Sequence, residues 1–336
     1  MEASVFLIVA LSLFFAIVFL IYILSPLITP SAMKLSNAHV VITGGSSGIG
    51  KAVAAEVLKV GASVTILARN QDRLREAKVE LEQYITEKSH QKILCISVDV
   101  SKDFASVEKA IKEAVDTLGP CDMLVNCAGQ SFAGTFEDTN VAEFKRLIDV
   151  NLLGTVYATK ACLPYMKKQK RGRIVFISSQ AGQIGLFGYT AYCSSKFALR
   201  GFAEALQMEV KPYNIYVTTN FPPDTNTPGL HSEDETKPKE TRLISETSGL
   251  FEPEDVAKII VADAKNAVFL SSVGVDGYML SILTAGASPI TSMMEGVQQV
   301  LLVGLFRIIA CFYSSSFDKL IKQCKEEREQ EAAKNS

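Results

Sequence analysis

A tyrosine and a lysine lie four residues apart in Ala191–Lys196, which reads A-Y-C-S-S-K. If this stretch is helical, Tyr192 and Lys196 share one face, because residues four apart are neighbours on a helix surface. A free tyrosine has a pKa of about 10, too high for efficient proton exchange at neutral pH. A lysine ammonium beside it favours the phenolate and lowers that pKa. The pair is therefore a candidate proton donor, although Y-x-x-x-K alone also occurs on solvated helix faces.

A second polar group stands just upstream of this pair. Ser179 follows an apolar stretch that reads as a strand, in the sequence Ile177-Ser178-Ser179. Its hydroxyl could hold a substrate carbonyl oxygen beside the tyrosine proton. The plainer alternative is a hydrophilic strand end.

Two phosphate-binding motifs overlap near the start of the chain. Gly45–Lys51 spells G-x-x-x-x-G-K, but a P-loop needs Ser or Thr next to hold Mg²⁺, and Ala52 stands there. Thr43–Gly50 spells T-G-x-x-x-G-x-G between a predicted strand and a predicted helix. That context favours a dinucleotide turn, with a pyrophosphate at the helix N-terminus. The residues expected to contact the cofactor here are Gly44, Ser46, Ser47, Gly48, Ile49 and Gly50.

The end of the second predicted strand selects the cofactor. NAD enzymes carry an acid there for the ribose hydroxyls, but this chain has Ala68-Arg69-Asn70, followed by Arg73. A guanidinium can bind a 2′-phosphate bidentately, whereas an acid would repel it. We therefore expect NADPH rather than NADH, a solvated surface arginine being the alternative. Asp99, after the third strand, is a candidate for the adenine edge or an ordinary turn residue.

Strand-like and helix-like segments alternate from residue 36 to residue 268, which predicts one α/β domain with a doubly wound, Rossmann-type parallel sheet. Ligands of such sheets bind at the carboxyl ends of the strands. The helical stretch 141–168 is predicted to break near Asn151. Residues 224–250 are polar and contain prolines, so we expect a lid or a disordered insert there.

Composition excludes several other classes. The net charge is −2, so no basic surface for nucleic acid is expected. The seven cysteines are odd in number and the three histidines are scattered, which argues against a disulfide framework and against a metal site.

The N-terminus predicts membrane attachment. Val5–Leu24 carries no charge and is long enough to cross a bilayer as a helix, so we assign residues 1–25 as an uncleaved anchor rather than a signal peptide. The flanking Glu2 and Lys34 favour a cytosolic catalytic domain. Residues 269–314 are again apolar, and we expect them to associate with the membrane or to pack in a dimer. Residues 315–336 form a charged tail, expected to be a solvated cytosolic end.

Taken together, residues of about 36–270 resemble the short-chain dehydrogenase/reductase family. The glycine turn, N-x-A-G at 126–129, N-x-x-G at 151–154, a serine, Y-x-x-x-K and a late proline turn occur in the family's order. The resemblance implies Tyr192 as general acid, and Lys196 as ribose ligand and tuner of Tyr192. It implies Ser179, or less favourably Ser178, at the carbonyl, and a water relay to Lys196 at Asn151. The cofactor pocket would also include Asn126, Ala128, Gly129, Tyr192, Lys196 and Thr225. Pro223 stands where the family usually has glycine, which weakens the assignment of Thr225.

Within that family, stretches 178–214, 222–229 and 241–247 and the two apolar ends resemble reductases of long-chain keto-amine lipids at the cytosolic face of the endoplasmic reticulum. The resemblance implies a lipid substrate in the bilayer, a role in sphingolipid synthesis, and pairing of two chains through helices in 141–168 and 192–210. Two alternatives remain open at this point: a membrane-anchored steroid or retinoid reductase, and a non-catalytic NADPH-binding membrane scaffold.

Overall fold

One parallel sheet, buried on both faces, organises the domain. A computed structural model of the chain describes residues 2–87 and 89–335. In this part of the chain seven strands pair in the order β3-β2-β1-β4-β5-β6-β7. The chain leaves β3 and returns to the far side of β1, so a crevice opens at the carboxyl ends of β1 and β4. The strands are β1 His39–Thr43, β2 Ser63–Ala68, β3 Ile93–Ser97, β4 Met123–Asn126, β5 Gly172–Ile177, β6 Ile215–Phe221 and β7 Leu270–Ser272.

Helices connect the strands and cover both faces of the sheet, as expected for a doubly wound fold. The strands are near-continuous apolar runs because both faces are covered. All five residues of β1 are buried, for example. The helices are α1 Glu2–Ile28, α2 Gly48–Lys59, α3 Gln71–Glu82, α4 Phe104–Leu118, α5 Val141–Leu147, α6 Gly154–Gln169, α7 Thr190–Val210, α8 Pro228–Asp234, α9 Lys239–Ser245, α10 Pro253–Lys265, α11 Gly274–Leu283 and α12 Met293–Asn335.

The sheet separates two apolar layers. On one face α2, α3 and α10 cover side chains such as Val40, Ile42 and Val64. On the other face α4, α6 and α7 cover Val41, Leu124 and others. These alternating strand residues fix the register of the sheet, because shifting a strand by one residue would exchange its two faces.

The predicted break near Asn151 is a π-helical turn, Ile148–Leu153, between α5 and α6. Such turns insert an extra residue into a helix and often occur at functional sites. The helical stretch from α5 to α6 thus widens at Asn151, the residue predicted to support a water relay.

The stretch 224–250 is not a plain loop. It forms α8 and α9, and several of its polar side chains are buried, including Glu233, Lys237 and Glu240. The alternative of a disordered insert was therefore wrong, because these seven-residue polar helices show no apolar periodicity in the sequence.

Two predicted boundaries differ from the structure. The last strand, β7, lies beyond residue 268 and pairs with β6, so part of the predicted apolar segment completes the sheet. The linker after α1 is also held by the domain: the Met33 backbone N–H donates to the Lys265 carbonyl oxygen over 2.9 Å, and Leu35 is buried.

The two ends of the chain are long apolar helices. Among the described residues, Val5–Ser25 within α1 and Met293–Lys334 within α12 are long and apolar enough to cross a membrane by length and composition. The two helices contact each other. The charged end of α12 is not wholly solvated as expected, because Lys239 pairs with Glu327 over 2.8 Å and Arg328 pairs with the buried Glu240. These ion pairs join α12 to α9.

Candidate active site

A cavity of about 850 Å³ lies at the carboxyl edge of the sheet, where the crevice was expected. Most residues predicted as site residues line it. They are Gly44, Ser46, Ser47, Gly48, Ile49, Gly50, Arg69, Arg73, Asp99, Ala128, Gly129, Ser178, Ser179, Tyr192, Lys196 and Thr225.

The glycine turn forms one end of the cavity, and its glycines are required by geometry. Gly44 has φ +69°, and a Cβ there would lie 2.8 Å from the Ala128 backbone. A Cβ on Gly50 would lie 2.4 Å from the Gly44 carbonyl oxygen. The β1 end, the β4 end and the start of α2 therefore meet with no room for side chains. This cradle at a helix N-terminus fits the pyrophosphate of a dinucleotide.

Thr43 fixes the relation between the two strand ends. Its Oγ1 accepts hydrogen bonds from the backbone N–H groups of Cys127 and Ala128, both over 3.1 Å. Asn126, predicted to contact the cofactor, does not line the cavity, since its side chain is buried and its Nδ2 donates to Thr159 Oγ1 over 3.2 Å. The Asn126 side chain supports the strand end from behind.

Cationic side chains border the cavity beyond β2. Arg69 and Arg73 are exposed, and neither forms an ion pair within residues 2–87 and 89–335. Asp99 is turned toward its own loop: its Oδ1 accepts from Ser101 N and Ser101 Oγ over 2.9 and 2.7 Å. Burial raises the pKa of Asp99, but the Ser101 hydrogen bonds and the Arg69 charge outweigh this and lower it. The guanidinium groups remain available to an anionic ligand.

Asn151 lies behind the cavity wall. Its Oδ1 accepts from Gln130 N over 2.8 Å, and its Nδ2 donates to Gln130 O and Ser195 Oγ, both over 2.9 Å. A Cβ on Gly129 would be 3.1 Å from Asn151 Oδ1 and 3.5 Å from Lys196 Nζ. The π-helical turn thus places an amide where it joins the 129–130 segment to α7.

Tyr192 and Ser179 face the same part of the cavity. Ser179 caps a short 3₁₀ turn, and its Oγ accepts from Ala181 N over 3.1 Å. The pKa of Tyr192 is raised by burial and by the Glu233 charge, while a hydrogen bond with Ser179 acts in the opposite direction. Ser178 is buried and its Oγ donates to the Lys196 carbonyl oxygen, so Ser179 is the better placed of the two serines.

Lys196 is held beneath the tyrosine. Its Nζ donates to the Ile177 carbonyl oxygen over 2.8 Å and lies 5.7 Å from the centroid of the Tyr192 ring. Burial lowers the pKa of Lys196 to about 8. The expectation that Lys196 would lower the pKa of Tyr192 differs from the structure, where burial dominates and the pKa of Tyr192 is raised. Desolvation of the phenolate and the Glu233 charge both disfavour ionisation of Tyr192.

A polar network around Glu233 of α8 also reaches the cavity from the lid, residues 224–250, and the sequence does not predict that this network is buried. Tyr189 Oη donates to Glu233, and its ring centroid lies 5.6 Å from that of Tyr192. The buried Lys237 ammonium lies 3.1 Å from Glu233 and 2.8 Å from Asp234. The polar composition of residues 224–250 does not reveal this burial, because the burial of Glu233 and Lys237 depends on tertiary packing.

The order of elements and the Tyr–Lys–Ser arrangement beside a glycine turn are those of a nicotinamide-dependent oxidoreductase. A family model described as short chain dehydrogenase matches residues 38–238, and the chain belongs to that family. The fold and the enzyme class expected from the sequence are thereby confirmed.

Particular relatives extend the likeness to nearly the whole chain. The 3-dehydrosphinganine reductase of Danio rerio is 60% identical over 94% of this chain and 95% of its own length. The 3-ketodihydrosphingosine reductase of Bos taurus is 60% identical over 92% of this chain and 93% of its own length.

A solved structure, that of levodione reductase, shares the fold, with a TM-score of 0.65 and 23% identity over 73% of this chain and 98% of that one. The match leaves more than a quarter of this chain uncovered.

Proposed function

We propose that this protein reduces 3-ketosphinganine to sphinganine with NADPH, in the de novo synthesis of sphingolipids and ceramide. The observation that carries the proposal is the 60% identity, over more than nine tenths of both chains, to vertebrate reductases that are named for this substrate. The cavity supports it, because Tyr192, Ser179 and Lys196 line one space together with apolar side chains of α11 and α12.

The cradle fits NADPH. Gly44, Gly48 and Gly50 would hold the pyrophosphate at the start of α2, and Arg69 with Arg73 would bind the 2′-phosphate. Charge supports NADPH over NADH, because no acid occupies the end of β2 and Arg69 has no competing ion pair within the described residues. Lys196 Nζ would bind the nicotinamide ribose. When bound, NADPH supplies the hydride that the C3 carbon of the ketone accepts.

The protein's own groups would manage the ketone oxygen. Ser179 Oγ would donate a hydrogen bond to the carbonyl oxygen and orient it toward Tyr192. Tyr192 Oη would transfer its proton to the oxygen as the alcohol forms, and a raised pKa keeps that proton in place at neutral pH. Asn151 would act indirectly, because its amide hydrogen-bonds Gln130 and Ser195, which flank Gly129 and Lys196.

The location that fits a bilayer-soluble ketone is a membrane surface. Two candidate spans, in α1 and α12, support attachment. We propose the endoplasmic reticulum membrane, with residues 36–268 and β7 facing the cytosol. A glycosylation sequon engineered into the lid should remain unmodified in cells, and a modified lid would reverse the proposed orientation.

The test uses membranes that contain the full chain, NADPH and 3-ketosphinganine, with sphinganine followed by mass spectrometry. Tyr192→Phe removes only the proton donor, and we expect turnover to fall at least a hundredfold, within the usual range for general acid catalysis. Tyr213→Phe is the matched control, because Tyr213 lies on the surface against Lys167 and does not line the cavity.

The outcomes separate the alternatives. Sphinganine formed at equal rates by wild type and Tyr192→Phe would refute the mechanism. NADPH oxidation with steroid or retinoid ketones but not with 3-ketosphinganine would assign another substrate. NADPH binding with no oxidation by any ketone would indicate a scaffold.

A further inference from the structure

The cavity continues beyond the catalytic end along two helices that sequence reasoning did not connect with substrate. Lining residues on α11 and α12 follow the same spacing, i, i+3, i+4 and i+7, so each helix presents one continuous stripe to the cavity. The stripe residues are Asp276, Met279, Leu280 and Leu283 on α11, and Ala310, Tyr313, Ser314 and Phe317 on α12.

The α11 stripe begins next to the catalytic segment. A Cβ on Gly277 would lie 3.6 Å from Gln180 Nε2, and Gln180 directly follows Ser179. One turn further on, Gln183 Nε2 donates to Ser281 Oγ over 3.1 Å in a buried contact. The polar member of this stripe, Asp276, thus lies at the catalytic end of α11.

Helix α12 packs against α11, where the Tyr278 and Phe306 rings meet edge to face with their centroids 6.3 Å apart. From Asp276 the lining becomes largely apolar through Met279, Leu283 and Phe317. A wall that is polar near the reacting groups and mainly apolar beyond them matches an amphiphile with its head at the chemistry and a hydrocarbon tail.

The opposite face of α12 is apolar and uncovered. Leu301, Leu305, Ile308 and Phe312 are 72%, 54%, 59% and 73% exposed. With about 100° per residue in a helix, these four cluster on one side, roughly 160° from the stripe of Ala310 and Phe317. One face of α12 therefore suits lipid, while the other lines the cavity.

We propose that the α11 and α12 stripes hold the alkyl chain of the ketone substrate, an inference that rests on the proposed function. The tail occupies the space between Leu283 and Phe317, so α12 serves as a membrane element and as a wall of the substrate site. The substrate's alkyl chain moves from the hydrocarbon of the bilayer into the apolar subsite. Because both surroundings are apolar, the shape of the subsite rather than the exclusion of water sets its selectivity.

The test compares two ketones, the long-chain 3-ketosphinganine and a six-carbon 2-amino-1-hydroxy-3-ketone that carries the same head without the tail. The enzyme is the full chain in detergent micelles, and the detergent concentration is the same for every variant, so that partitioning of each ketone cancels when variants are compared. Ala310→Trp fills the subsite from the cavity face, and Leu305→Trp is the matched control on the exposed face of the same helix. The quantity measured is kcat/KM for the long ketone divided by kcat/KM for the short one.

We expect wild type to favour the long ketone at least tenfold. Ala310→Trp should reduce that ratio at least tenfold, and Leu305→Trp should leave it within a factor of two. Phe317→Ala, which shortens the same stripe, should lower the ratio as well, and NADPH affinity confirms that each variant is folded.

Equal ratios for Ala310→Trp and Leu305→Trp would overturn the subsite, as would a wild type that reduces both ketones equally well. In either case the proposed function would stand. A wild type that reduces neither ketone would instead refute the proposed function.

Discussion

Replacing Gly50 by alanine tests whether the close approach of backbone at the glycine turn is what binds the cofactor. The added Cβ would lie 2.4 Å from the Gly44 carbonyl oxygen, whereas ordinary contacts begin at 3.4 Å. The neighbouring group is backbone and cannot rotate away, so the turn has to open by about 1 Å, judged from those two distances.

The magnitude follows from two opposing effects. Alanine in a helix is favoured over glycine by about 1 kcal/mol, and forcing atoms into a packed site costs about 1–3 kcal/mol. The net loss of stability is therefore roughly 0–2 kcal/mol. For a domain of this size each kcal/mol shifts Tm by about 2–4 °C. An opened turn also misplaces the pyrophosphate, and we expect NADPH affinity to fall at least tenfold, about 1.4 kcal/mol.

Gly201→Ala is the matched control. Gly201 lies in α7 and is exposed, and a Cβ added there would point into open space, with no neighbouring group within 4 Å. The same change there should raise Tm by about 2–4 °C through helix propensity and leave NADPH binding unchanged. Thermal unfolding and NADPH fluorescence titration measure both. If Gly50→Ala bound NADPH as tightly as Gly201→Ala, the steric account of the cradle would be refuted.

Three further predictions concern charge. Arg69→Ala should lower the preference for NADPH over NADH roughly 10- to 150-fold, the range for a hydrogen bond to a charged group. Arg75 is exposed and paired with Asp72, so Arg75→Ala is the control and should leave the preference unchanged. An unchanged preference in both variants would contradict the cofactor argument. Burial lowers the pKa of Lys196 to about 8 and raises the pKa of Tyr192, so the Lys196 ammonium loses its proton before Tyr192 does. We therefore expect kcat/KM for NADPH to fall as pH rises through about 8. A flat pH profile up to about pH 10 would show that this charge is not needed. Glu233→Gln removes a negative charge that raises the pKa of Tyr192. Oxidation of sphinganine needs the Tyr192 phenolate, so the pH at which its rate begins to rise should move to lower pH. A move to higher pH would show that Glu233 does not raise the pKa of Tyr192.

Local patterns carried much of the fold and the site. The glycine turn, the order of strands and helices, and the Tyr192–Lys196 spacing are short-range signals in the sequence. In the structure the glycine turn, Tyr192 and Lys196 line the same cavity.

Long-range packing supplied the rest. Glu233 of α8 and Lys237, which lies between α8 and α9, are buried only because neighbouring elements cover them. The direction of the Tyr192 pKa likewise depends on burial, which no spacing reveals. The three-residue β7 is too short to give a period, and it is a strand because β6 offers it a partner.

The π-helical turn at Ile148–Leu153 makes the number of residues between α5 and α6 important for the site. Deleting one residue between α5 and α6 would restore a regular α-helix and remove the wide turn that carries Asn151. The Asn151 amide could then no longer reach both Gln130 and Ser195. A single-codon deletion here would therefore be far more damaging than its one lost side chain implies, while most substitutions at the neighbouring positions would leave the register intact.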